Sequence, residues 1–121
     1  MSRLPLVLLA VSCHRQPDRC EETSTQLRCD YHTTRLDVEG TTRDIHWQVP
    51  LGDPPASGWP IVMLFQGTSF PALLYFSAPK LTPFGGVHQA ELTRALLRSG
   101  FAVMAPEALG EGLTCWQTNL P

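Results

Sequence analysis

Cys20, Cys29 and His32 are the first side chains in this sequence whose types and spacing could do chemistry. Cys20 and Cys29 enclose a short loop, which suits a disulfide formed in an oxidising compartment. The same thiols with His32, and with either His14 or Cys13, could instead hold zinc. Zinc sites usually bring their ligands in tight pairs, and here only Cys29 and His32 are close in that way. A small zinc-binding module is therefore the lesser alternative to a disulfide, and Cys115 is left over in both. A further cluster is Gln66-Gly67-Thr68-Ser69, where a glycine permits a sharp turn at the end of an apolar run. After it comes an aromatic stretch holding Phe70, Tyr75, Phe76 and Phe84.

The chain start carries an export signature. Arg3 makes a short positive region, and residues 4–11 form an apolar run interrupted by Pro5. Ala10-Val11-Ser12-Cys13 resembles a bacterial lipoprotein cleavage site, with Cys13 as the lipidated residue. The run is too short to span a bilayer, which needs about 20 apolar residues. Residues 1–13 thus read as a signal peptide with a lipobox, 14–25 as a polar tether, and 26–121 as the folded part. The expected location is outside the cytoplasm, lipid-anchored to a bacterial membrane or secreted. With 43% hydrophobic and 17% charged residues the chain is globular rather than disordered. The net charge of −2 comes from interspersed signs, so no basic stripe supports nucleic-acid binding.

The elements that must position these residues follow from periodicity. Leu36 and Val38 alternate with polar neighbours, as do Ile45, Trp47 and Val49, and Glu39-Gly40 lies between the two runs. That pattern predicts a β-hairpin with those five apolar residues on its buried face and His46 on the polar side. Residues 61–65 form an unbroken apolar run, as do 101–105, and both fit strands covered on two faces. Residues 87–99 read as a helix with Val87, Ala90, Leu92, Ala95 and Leu96 on one side, and Gly100 as its stop. Strand, helix and strand make a crossover unit of a parallel sheet. The fold class is therefore α/β.

The order of these elements resembles the opening of an α/β-hydrolase of the esterase branch, similar to poly(3-hydroxybutyrate) depolymerase-like lipoproteins. Residues 60–67 (PIVMLFQG) resemble its third strand and glycine turn. Residues 99–106 (SGFAVMAP) resemble the segment around its fourth strand. Gly40, Arg43 and Pro50 stand at matching places around the hairpin, and Cys115-Trp116 resembles a pair found after the fourth strand. The resemblance covers about residues 33–121. It implies an incomplete α/β-hydrolase sheet acting on small or polymeric carboxylic esters without a cofactor or metal. It also implies an oxyanion hole at Gln66, Gly67 and Thr68, where a backbone N–H of Thr68 stabilises the negative oxygen of acyl transfer. Gln66 stands where that group usually has His and would buttress the turn.

The resemblance also says what is absent. Such an enzyme needs a serine in a G-x-S-x-G elbow, followed by an acid and a histidine. None of the serines has that setting, and His14, His32, His46 and His88 come too early in the order. Ser69 lies after the wrong strand, and Glu107 reads as a loop carboxylate. The expected function is an N-terminal segment of an exported serine hydrolase, inactive alone. Phe70, Tyr75 and Phe76 are candidates to line a substrate pocket. The alternative is a complete, non-catalytic exported module that binds an apolar ligand or a partner protein through residues 70–84.

Overall fold

The computed structural model describes residues 17–67, 70–109 and 116. The proposed signal segment with Cys13, and also Thr68, Ser69 and Cys115, lie outside the described residues. Among the described residues the architecture is mixed α/β, with one α-helix and two sheets.

The larger sheet starts as a hairpin of β3 (His32–Val38) and β4 (Thr41–Gln48), after β1 (Cys20–Glu22) and β2 (Gln26–Cys29). Its turn sits at the expected Glu39 and Gly40, whose φ angles of 53° and 78° are both left-handed. That geometry matches the twist of the flanking strands and is cheapest with glycine in the second position. Asp37 Oδ1 accepts the Gly40 N–H at 2.9 Å and closes the turn. Next come β5 (Ile61–Met63), β6 (Ser77–Pro79), α1 (Val87–Arg98) and β7 (Ala102–Pro106). The larger sheet has the order β3-β4-β7-β5, with β5 and β7 parallel and the other pairs antiparallel. The predicted strand–helix–strand unit is therefore present.

The smaller sheet, β1-β2-β6, has no counterpart in the sequence-based expectation. Residues 20–22, placed in the polar tether, pair with β2, and a Thr23 side chain closes their turn by accepting the Gln26 N–H at 3.1 Å. Cys20 lies directly opposite Cys29, and the two form a disulfide. A cross-link of that loop length contributes about 2–3 kcal/mol by restricting the unfolded chain. It also uses both thiols that the zinc alternative required.

Helix α1 packs against β2, β6 and β7, and so joins the two sheets. Its buried residues are Ala90, Thr93 and Leu97, with Val87 and Leu96 packed alongside. Leu92 and Ala95, expected on the inner face, are exposed. The helix stops at Gly100, whose φ is 86°, after Ser99 N–H returns to Ala95 O at 3.0 Å. Cys29, Phe76, Leu97, Val103 and Ala105 form the main core. Complete burial of a residue as large as Phe76 contributes about 1.5–3 kcal/mol. At the outer rim Glu22 joins Arg94 and Lys80 at 2.7 and 2.9 Å. Hydrogen bonds from Arg94 and then Lys80 hold the Glu22 carboxyl down at about 2.

One expectation about the hairpin is reversed. His46 and Gln48, placed on the polar side, are the buried pair, only 9% and 2% exposed. Leu36 and Val38, placed in the core, are exposed. Alternation defines two faces of a strand but not which one is covered. The covered face accepts His46 because both of its ring nitrogens find partners there. The opposite face is an open apolar groove of about 210 Å³, lined by Leu36, Ile45, Trp47, Val49, Ile61 and Met104.

Candidate functional site

The turn after β5 is the focus of the expected chemistry. Strand pairing continues one residue past Met63, where Leu64 N–H donates to Met104 O at 2.8 Å. Phe65, Gln66 and Gly67 then leave the sheet. Gln66 is only 3% exposed. Its neighbours dictate the amide orientation: the nitrogen donates to Pro106 O at 3.0 Å, and the oxygen accepts from Ala108 N–H at 2.8 Å. One side chain thereby ties the end of β5 to the end of β7. The backbone is held as well, since Trp116 Nε1 donates to Gln66 O at 2.9 Å and the Tyr75 hydroxyl donates to Phe65 O at 3.0 Å. Burial pushes the Tyr75 phenol above its usual value, which keeps that donor protonated.

Gly67 needs a different account from the expected one. Its φ is not left-handed, and an added Cβ would meet nothing within 4 Å. Neither backbone strain nor crowding among the described residues demands glycine there. Thr68, expected to donate the N–H, lies outside the described residues.

A second layer of contacts centres on Glu107, immediately after β7. Its carboxylate accepts N–H groups from Ala72 at 3.0 Å and Leu73 at 3.2 Å. Those residues begin the 3-10 turn Ala72–Tyr75, whose first N–H groups have no partner within the turn. The same carboxylate meets His46 Nε2 at 3.2 Å, and His46 Nδ1 meets Thr33 Oγ1 at 2.9 Å. A proton on Nε2 lets it donate to the carboxylate, and Nδ1 pairs with the Thr33 hydroxyl. Arg43 donates to Glu107 O, and its guanidinium lies 5.1 Å from the centre of the Trp116 ring. Trp116 stands edge-on to Phe65 at 5.0 Å. One carboxylate thus clamps β4 to the segment that follows the β5 turn.

The expected pocket residues separate. Phe76 is fully buried in the core, and Tyr75 is buried beside it with its hydroxyl on the turn. Both act as packing and support rather than as a pocket lining. Phe70 is half-buried near the turn, with its N–H pointing to Gly67 O at 3.4 Å and its ring edge-on to Phe84. His46, Arg43 and the three-donor role of Glu107 were not foreseen as a group. No local pattern marks them, because their contacts to Glu107 span from 34 to 64 positions of sequence.

Over 116 residues, 94% of its length, the chain is 42% identical to a poly(3-hydroxyoctanoate) depolymerase of Pseudomonas fluorescens. The matched stretch covers 40% of that protein, so the chain spans about two fifths of the length of this curated relative. No family model and no solved structure matches the sequence.

The Glu107 clamp makes a direct prediction. Glu107→Gln leaves one acceptor oxygen for three donors and should cost about 1–3 kcal/mol in urea unfolding. The Ala72 and Leu73 amides should also lose protection in hydrogen exchange, while the β3–β4 ladder keeps its own. Unchanged protection at those two amides would mean that the carboxylate does not hold the turn.

Proposed function

We propose that this chain belongs to a serine hydrolase of the α/β-hydrolase type that cleaves carboxylic esters in a polyester. Its part is the turn after β5, with a backbone N–H at Thr68 as one donor of the oxyanion hole. No serine of these 121 residues stands in the G-x-S-x-G setting that the nucleophile of such an enzyme needs. The observation that carries this reading is the Gln66 amide, which ties the turn to Pro106 and Ala108. An oxyanion donor works only if it is fixed before the charge develops. The similarity to a poly(3-hydroxyoctanoate) depolymerase supports a polyester as substrate. The open apolar face and β5, which among the described residues pairs only with β7, support a larger sheet in the whole enzyme.

In the complete hydrolase, Thr68→Pro removes the proposed N–H. It should lower kcat on a soluble ester by about 10²–10³-fold, with KM nearly unchanged. Full kcat in that variant would remove the oxyanion role from this turn.

We further propose that the protein is exported and lipid-anchored through Cys13, with residues 14–19 linking the anchor to β1. The Cys20–Cys29 disulfide supports an oxidising compartment. Metabolic labelling with a fatty acid should be lost in Cys13→Ala, and labelling that survives the substitution would exclude this anchor.

A further inference from the structure

The loop between β6 and α1 presents large apolar side chains to solvent in a way that folding does not explain. Leu81 is 95% exposed and Phe84 is 97% exposed. Phe84 is also held at φ 55° and ψ 28°, a left-handed conformation that is unusual for a bulky residue. Isolated exposed apolar residues are ordinary, but Leu81 and Phe84 stand three positions apart on one tight loop.

The loop is built rather than slack. Thr82 sends both its N–H and its hydroxyl to Pro79 O, at 3.0 and 2.7 Å. Gly86 N–H returns to Pro83 O at 3.2 Å. A Cβ on Gly85 would come within 2.9 Å of the His88 ring, and one on Gly86 would strike the Thr82 side chain. Pro79 and Pro83 restrict the backbone further. Strained backbone of this kind persists only where its surroundings over-determine it. The backbone that carries Leu81 and Phe84 is therefore pre-positioned, which lowers the entropy lost when they bind.

The pair is uncharged and adjoins the candidate site. Residues 81–87 (LTPFGGV) carry no ionisable side chain. The Phe84 ring lies 6.4 Å from that of Phe70, whose own N–H faces the turn at Gly67. We infer that Leu81 and Phe84 form an adsorption surface for a water-insoluble aliphatic polyester, seating the polymer beside the turn after β5. The identity of the polymer rests on the ester-hydrolase reading above. An uncharged apolar tip suits a polyester surface better than an anionic membrane, which recruits basic clusters.

The test measures depletion of the 121-residue chain onto particles of poly(3-hydroxyoctanoate). Phosphatidylcholine vesicles serve as the competing surface. Leu81→Ser with Phe84→Ser should weaken polyester adsorption by about tenfold or more, with an unchanged urea midpoint. Ile61→Ser with Met63→Ser, on the open sheet face, should adsorb nearly as the parent does. Polyester adsorption retained in the Leu81/Phe84 variant overturns the inference, whatever the sheet-face variant does. So does parent binding to the vesicles but not to the polyester. In the complete hydrolase, the Leu81/Phe84 variant should still turn over a soluble ester while losing rate on the solid polymer. Failure of the ester-hydrolase reading shows differently, as no soluble-ester turnover in the parent.

Discussion

A carboxylate taken partly out of water needs donors, and the arrangement around Glu107 follows from that requirement. Its two oxygens face the N–H groups of Ala72 and Leu73 and the ring nitrogen of His46. These donors come from the 3-10 turn and from β4, so satisfying one side chain docks the segment after the β5 turn onto the sheet. His46 can then be buried, because Thr33 meets its other nitrogen. Arg43 on the Glu107 carbonyl extends the same constraint to Trp116, and Trp116 reaches back to the Gln66 carbonyl. The residues just after β7 thus form a hub: Pro106 and Ala108 hold Gln66, and Glu107 holds the loop.

This hub gives the β5 turn its fixed position without any residue of the turn having to do the work alone. Tyr75 adds a support from below, with its ring in the core and its hydroxyl on Phe65 O. Helix α1 then fastens the smaller sheet, whose first two strands the disulfide joins, to the other side of the core. The result is a molecule with two unlike faces. One is closed around Phe76 and Val103, and the other is open and lined by Ile45, Trp47 and Ile61.

The order of the main elements was legible in the sequence because it depends on local signals. Glu39-Gly40 marks the hairpin turn, Gly100 ends the helix, and the unbroken apolar runs mark β5 and β7, although Ile61 and Met63 of β5 are exposed rather than covered. The smaller sheet was not legible, since its strands are three or four residues long and β2 finds β6 from about fifty positions away. Which hairpin face is buried was also hidden. A polar His46 can be internal only if Thr33 and Glu107 meet it, and the Glu107 contact exists only in three dimensions. That Gln66 stands at the end of an apolar run could be read from the sequence. Its partners Pro106 and Ala108 could not.

The central claim is that Glu107 and His46 act together to hold the site in place. A double-mutant cycle with His46→Phe and Glu107→Gln, read by urea unfolding of the full chain, addresses it most directly. The two side chains should show a coupling of about 1–2 kcal/mol, as groups within one hydrogen-bonded network do. Single-variant losses that add to within about 0.3–0.5 kcal/mol would contradict the clamp between β4 and the 3-10 turn.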